Sequence, residues 1–327
     1  MTIRHSLSRK SAIAPIIRLG TAVVTAAMAI IAIAAAPAAA IPVGYSINGV
    51  DVYEGNGSID WAAASAAGIR FGWAKATEGL SHVDGRYATN YTNAKNNGVY
   101  LGAYAFGRPD LGVGTGRAQA DFLLDHAQYV ADGKTLPPQL DIEWPYENSS
   151  GNYVAPYPCY GLSPSQMVTW IRDFVTEVKN RTGRDAAIYT NYNWWKDCTG
   201  NNGSFGANPL EIAHYVDPDS GSSYGSVPAG WSRPTAWQYN CSRSVPGTSS
   251  NNKVCQTAFI GGYAELTEFA GASNAVDRQG PSSVVDASGA VQVFARGSDG
   301  SLKHWYWSNG WQFDVPGGDI AGSPTVM

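Results

Sequence analysis

Charged side chains are scarce in this chain: Asp, Glu, Lys and Arg make up 15% of 327 residues, against roughly a quarter in an average soluble domain. Cations are scarcer than acids, 22 against 26, and form no basic stripe, which excludes nucleic acid as a partner, since its capture depends on clustered Lys and Arg against phosphates. The same shortage gives no support to electrostatic capture of an anionic polymer. Cysteine is limited to four residues, none spaced C-x-x-C, and the five histidines are scattered, so no metal site is called for and no cofactor is implied. Beyond residue 40 no apolar run is long enough to span a bilayer. What the chain does have is 44% hydrophobic content, 37 Gly, 18 Tyr and 11 Trp. That is ample for a large buried core, excludes disorder along the whole chain, and suits a rigid, loop-rich extracellular protein with aromatic binding surfaces.

Residues 1–40 read as a secretory signal peptide. Arg4, Arg9, Lys10 and Arg18 form a basic head with no acid, an apolar run follows from Leu19 to Ala36, and the segment closes on Ala38-Ala39-Ala40. The Ala-rich weakness of the run and its small-residue ending favour cleavage over a permanent anchor. Cleavage takes four cations and no acid, moving the formal charge from −4 to −8. The product is expected to be extracellular, a monomer, and without stable membrane association. All four cysteines lie in the exported part, an oxidising context. Of three possible pairings, Cys159 with Cys198 and Cys241 with Cys255 is favoured, the second closing a short Ser/Asn-rich loop.

From Ile47 to Ala270 short apolar runs alternate with helical patterns. The strand-like runs are Ile47 to Val52, Arg70 to Thr77, Val99 to Phe106, Gln139 to Trp144, Ala186 to Thr190, Leu210 to Val216 and Thr235 to Tyr239. The clearest helix has Ser163 as N-cap, Pro164 in its first turn and an end before Gly183; Met167, Trp170, Ile171, Phe174, Val175 and Val178 share its core face. Strand and helix in alternation over about 220 residues predict a parallel sheet closed into a β/α barrel. The later strands lack helices between them, so an irregular α/β barrel with fewer helices than strands is expected. Residues 271–283 read as a linker. Residues 284–327 alternate in the β manner, with Val291, Val293 and Ala295 opposing Gln292, Phe294 and Arg296, and a turn at Asp299-Gly300. Gly280-Pro281-Ser282-Ser283-Val284 is echoed by Gly322-Ser323-Pro324-Thr325-Val326, a period of about forty residues of the kind propeller blades show. The tail is therefore expected to be an incomplete all-β propeller repeat.

Chemistry is concentrated in Leu140-Asp141-Ile142-Glu143. At i and i+2 on a strand both carboxyls point to one face, and in a barrel that face is the interior near the strand's C-terminal end, where such folds hold their active sites. Paired acids are what glycoside hydrolysis requires: one, kept protonated, donates to the leaving oxygen while the other steadies positive charge on the sugar. Asp51, between Val50 and Val52 that face away, adds a third acid at the end of the first strand.

Seven segments in order resemble the glycoside hydrolase family 25 lysozymes, the muramidases of bacteria and their phages. They are Gly49-Val50-Asp51-Val52 with Ile59-Asp60-Trp61; Lys75-Ala-Thr-Glu78-Gly79; Asp84, Asn90, Ala94 and Gly98; Gly102-Ala-Tyr104-Ala-Phe106; Leu140-Asp141-Ile142-Glu143; Ile188-Tyr189-Thr190; and Ala236-Trp237-Gln238-Tyr239. The resemblance covers residues 44–270 and implies hydrolysis of the β-1,4 bond between N-acetylmuramic acid and N-acetylglucosamine in bacterial peptidoglycan. It implies Glu143 as general acid, Asp141 beside it orienting the substrate 2-acetamido group, and Asp51 completing the cluster, with Tyr104, Tyr189 and Trp237 lining the sugar cleft. Two positions depart from the family. Ala105 stands where histidine is usual, and Val254-Cys255-Gln-Thr-Ala-Phe259 carries Cys255 where the family has Asp; Asp217 is a candidate spatial substitute. The tail resembles one repeat of propeller-type lectin modules, through Val293-Phe294-Ala295-Arg296-Gly297 and Asp299-Gly300-Ser301-Leu302. A competing reading is a secreted glycan-binding protein whose barrel lost catalysis with the Cys255 change; the presence of Asp51, Asp141 and Glu143 together argues against it. Gly221-Ser-Ser223-Tyr-Gly225 matches a nucleophile-elbow pattern outside the strand-turn-helix context it needs, Gly112-Val-Gly114-Thr-Gly116 reads as a rim loop, and the absence of H-E-x-x-H disfavours a zinc amidase.

Overall fold

The computed structural model describes residues 41–127, 129–145, 157–215, 223–242, 244–248, 254–271, 282–286, 288–296 and 302–315. The expected signal peptide, Asp217, most of the linker and the Asp299-Gly300 turn lie outside them.

Eight strands close a barrel in the order β1 (Asn48–Val52), β2 (Ile69–Glu78), β4 (Tyr100–Phe106), β5 (Gln139–Asp141), β6 (Ala187–Asn191), β7 (Leu210–Ala213), β8 (Ala236–Asn240) and β9 (Cys255–Phe259). A short β3 (His82–Val83) folds back on the end of β2. From β1 to β8 each strand runs parallel to its neighbour, while β9 is antiparallel to both β8 and β1. Helices α1 (Trp61–Ala66), α2 (Tyr87–Asn96), α3 (Gly116–His126), α4 (Pro164–Thr182) and α5 (Tyr192–Thr199) form the crossovers up to β7, and α6 (Tyr263–Phe269) follows β9. No helix joins β7 to β8 or β8 to β9 among the described residues, the irregularity expected from the sequence.

Strand period 2 sorts the core into two layers. Val50, Val52, Ala74, Ala76, Leu101, Leu140, Ile188 and Ile212 point outward and are buried against the helices. Ile47, Phe71, Trp73, Ala187, Ala236 and Phe259 fill the barrel floor. The floor matters for function, because bulky side chains there leave only the upper interior open. Gly72 is required by this closure: a Cβ would lie 1.9 Å from the Val50 carbonyl oxygen.

Helix α4 forms where the sequence predicts it. Ser163 and Gln166 make a reciprocal capping box, Pro164 occupies the first turn, and Gly183 ends the helix at φ 71°, a left-handed position that favours glycine. Its stripe from Met167 to Val178 is buried. Two strands are shorter than the apolar pattern suggested: β5 stops at Asp141 and β7 at Ala213. The expected strand list omitted β9, whose Cys, Gln and Thr content hides a fully interior segment from hydropathy.

Cys159 is bonded to Cys198 and Cys241 to Cys255, the pairing of sequence neighbours. The first bridge closes a separation of 39 residues and ties the segment after β5 to α5. Restriction of the unfolded chain over such a loop is worth about 4 kcal/mol. The double substitution Cys159→Ser/Cys198→Ser is therefore expected to lower stability by several kcal/mol in chemical denaturation.

The C-terminal residues form a four-stranded antiparallel sheet, β10 (Ser282–Val285), β11 (Val291–Arg296), β12 (Leu302–Trp307) and β13 (Trp311–Asp314). Its aromatic ladder includes Phe294 stacked on His304 at 4.4 Å and Trp305 against Phe313 at 5.1 Å. Among its described residues none is buried, so this single sheet has no core of its own.

Candidate active site

The C-terminal ends of the parallel strands open into a cleft of about 180 Å³. It is continuous, through Tyr104, Asp141 and Glu143, with a wider groove of about 720 Å³ that includes Glu54, Lys75, Glu78 and His82. A pocket leading into an open groove suits one residue of an extended polymer held deep and its neighbours held shallow.

All three predicted acids line the cleft. Asp51 extends from β1, where Trp73 N–H donates to Oδ1 at 3.2 Å, Gln238 Nε2 donates to Oδ2 at 2.7 Å and the Thr257 hydroxyl lies 3.4 Å from Oδ2. Burial pushes its carboxyl up from the ordinary range, and these hydrogen bonds pull against that. Asp141 is the last residue of β5 and is buried; its Oδ1 has no hydrogen-bond partner among the described residues. Burial first, and then the charge of Glu143, raise it well above the usual carboxylate range, while Lys75 draws it back. Glu143 lies just past the strand end, but the Ile142 N–H still donates to the Tyr189 carbonyl at 3.0 Å, which prolongs the strand geometry and keeps Glu143 on the same face as Asp141. Burial lifts Glu143 to about 7. Neighbouring carboxyls raised in this way hold at least one proton between them near neutral pH, the state needed for acid catalysis.

Tyr104 faces the cleft from β4, and Tyr189 is buried at its wall, with its hydroxyl donating to Gln238 Oε1 at 2.9 Å. Trp237 is not in the cleft. On β8 only one of Trp237 and Gln238 can point inward, and the structure turns Gln238 in. Trp237 is fully buried on the outer wall, its ring edge-on to Tyr45 at 5.4 Å and its Nε1 donating to the His214 carbonyl at 2.8 Å. Placing it on the sugar is corrected: it packs the barrel's outside. Ala105 is likewise buried in the outer layer, so that departure from the family pattern lies on the side of β4 away from the cleft. Cys255 does line the cleft, opposite Asp51 in the β1–β9 register.

Several site residues went unnoticed in the sequence. Tyr53 and Tyr215 are half exposed on the cleft rim, and Gln238 links Asp51, Tyr189 and Tyr215 through its amide. Tyr53 was readable by strand parity, two residues after Asp51. Glu211, beneath the cleft floor on β7, carried no motif. Beside the acids, Lys75 pairs with Glu78 at 2.6 Å, and Arg108 bridges Glu78 and Asp110 at 3.2 and 2.7 Å, an ionic frame that orders the groove wall. Among the described residues no group of His, Cys, Asp and Glu is arranged to hold a metal ion.

Residues 50–248 match the glycosyl hydrolases family 25, and residues 292–326 match a repeat of unknown function (DUF346). Lysozyme M1 of Streptomyces globisporus is 42% identical over 226 residues, covering 68% of this chain and 71% of that protein. The N,O-diacetylmuramidase of Arthroderma benhamiae is 37% identical over 249 residues, 75% of this chain and 96% of the relative. In three dimensions the bacterial lysozyme from Streptomyces coelicolor superposes with a TM-score of 0.62 at 40% identity, over 70% of this chain and 98% of that one. With its mixed eight-stranded barrel and its three acids at the open end, this chain belongs to the glycosyl hydrolases of family 25 and is a glycoside hydrolase of the lysozyme type.

Proposed function

We propose that the protein is a secreted lysozyme that hydrolyses the β-1,4 bond between N-acetylmuramic acid and N-acetylglucosamine in bacterial peptidoglycan, with Glu143 as the proton donor. The observation that carries this reading is the convergence of Asp51, Asp141 and Glu143 in one cleft, with Glu143 lifted to about 7 by burial. A carboxyl at that value is protonated in mildly acidic to neutral water yet acidic enough to protonate the glycosidic oxygen as the bond breaks.

Asp141 has the second role. Its unpartnered Oδ1 is positioned to accept a hydrogen bond from the N–H of a substrate 2-acetamido group. Held that way, the acetamido carbonyl oxygen attacks the anomeric carbon from within the sugar, and water later opens the ring so formed. Asp51, fixed by three donors, supports positive charge as it grows on the sugar. Tyr104 and Tyr53 offer aromatic faces for pyranose rings, and Tyr189 holds the Gln238 amide in place. Disulfides in the described fold suit the oxidising exterior that the leader-like residues 1–40 imply.

Mass spectrometry of the products from purified peptidoglycan tests the reaction. Reducing ends on muramic acid are expected, and reducing ends on glucosamine would replace the assignment with a glucosaminidase. A turbidity assay on a wall suspension separates hydrolysis from mere binding, since a binder leaves the wall intact.

The catalytic unit is assigned to residues 44–270 and the tail from residue 284 to a lectin-like targeting repeat. Every acid of the cleft precedes residue 270, and the tail sheet has no buried residue among those described. Truncation after Ala270 is expected to leave turnover on soluble muropeptide oligomers within about twofold of the full chain while lowering activity on whole walls, because a tethered binder raises local concentration and not chemistry. Equal losses on both substrates would put the tail inside the catalytic unit.

A further inference from the structure

Beneath the cleft lies a fourth acid that the reaction as described does not use. Glu211 projects from the middle of β7 into the barrel and is 1% exposed. Its Oε2 accepts from Gln139 Nε2 at 2.6 Å, and its Oε1 lies 2.6 Å from the Thr257 hydroxyl. The same hydroxyl lies 3.4 Å from Asp51 Oδ2. No cation contacts Glu211 in these bonds. An ionised carboxylate there would be an unpaired buried charge one hydroxyl away from another acid, an arrangement proteins avoid by keeping a proton.

A proton on Oε1 satisfies the geometry. Glu211 then donates to Thr257 Oγ1, the Thr257 hydroxyl is free to turn toward Asp51 Oδ2, and Oε2 still accepts from Gln139. We propose that Glu211 is a positioning residue that acts as a neutral acid, passing a hydrogen bond through Thr257 to Asp51 and so holding Asp51 as the ionised member of the cluster. The inference rests on the catalytic placement of Asp51.

The direction of the titrations agrees. Burial, and after it the charge of Asp51, push Glu211 well above the carboxylate range; burial raises Asp51 too, and its hydrogen bonds, that of Gln238 first and then that of Glu211, draw it back. The groups facing Asp51 are Glu211 and Tyr215 from the β7 side, Asp141 from β5 and Tyr104 from β4, together with the neutral Trp73 amide, Gln238 and Thr257. Glu211 faces Asp51, Gln139 and Thr257.

The test is a pH titration of the Asp51 carboxyl carbon by NMR in the full chain, assigned with Asp51→Asn, beside kinetics on soluble oligomers. Glu211→Gln preserves a neutral donor and acceptor, so the Asp51 midpoint is expected to stay within about 0.3 pH units and activity within threefold. Glu211→Leu removes the relay. The Asp51 midpoint should then rise by about one pH unit, and kcat/KM should fall about tenfold on the acid side and recover as pH rises. A fall of the midpoint in the folded Glu211→Gln protein would show that Glu211 was an anion and would overturn the proposal. An unmoved midpoint in Glu211→Leu, or failure of Gln to preserve activity, would do the same. Should Asp51→Asn stay fully active, the catalytic placement of Asp51 fails instead, and the NMR midpoints still report on Glu211.

Discussion

Glu143→Gln is expected to remove wall lysis, lowering kcat on soluble oligomers by about a hundredfold to ten-thousandfold with little change in KM. The substitution keeps the shape of the side chain and its contacts but takes away the transferable proton, and general acid catalysis is worth about that much. The pH profile sharpens the test. Because burial lifts Glu143 to about 7, the competent protonated form is full below that value and drains away above it, so wild-type kcat should fall as pH rises through about 7. Residual activity of the variant should lack that limb. Stability should move the other way. The folded carboxyl holds its proton to about 7 while the unfolded one releases it near the ordinary value of 4.5, so below 4.5 the raised group costs nothing. Its cost grows between the two values and is complete above 7. Glu143→Gln is therefore expected to melt at the wild-type temperature near pH 4 and above it at pH 8. Activity of the folded variant within a few-fold of wild type would remove Glu143 from its role.

Asp141→Asn carries the second large effect, a loss of about a hundredfold or more in kcat. Asparagine fills the same space, but its amide presents an N–H where a carboxylate oxygen would receive the substrate N–H, or must rotate against the buried wall to avoid doing so. Misplacement of a reacting group by about an ångström costs on the order of a hundredfold. The split between kcat and KM is diagnostic: a group that only anchors sugar raises KM, whereas one that orients the internal nucleophile lowers kcat. A pure KM effect would reassign Asp141 to binding.

The site was legible in the sequence to the extent that strand parity could be applied. Asp141 and Glu143 were placed together by their i, i+2 spacing, and Val50 and Val52 located Asp51 on the opposite face from themselves; the structure has all three in one cleft. In Ala236-Trp237-Gln238-Tyr239 the large aromatic suggests a sugar contact, but strand parity turns it the other way. The small Ala236 is the inward neighbour on the floor, which makes Gln238 the inward residue above it and turns Trp237 to the outer wall, against Tyr45. Glu211 could not be read at all, since a single acid in Leu-Glu-Ile-Ala has the pattern of any half-exposed strand until its surroundings are known.

Local chemistry determined much of this protein without reference to distant residues: the alternation that marks seven of the eight barrel strands, the scarcity of late helices, the capped ends of α4, and the pair of acids on one strand. These follow from backbone geometry and from side chains a few positions apart. Tertiary structure decided the rest. Closing the sheet brings β1 beside β9 and sets Asp51, Thr257 and Glu211, separated by 206 and 46 residues across their contacts, within hydrogen-bonding reach. It also buries them, and burial pushes the Asp51 and Glu211 carboxyls above their ordinary range. That change depends on the loss of water around the groups, a property of the assembled barrel that no stretch of the chain possesses alone.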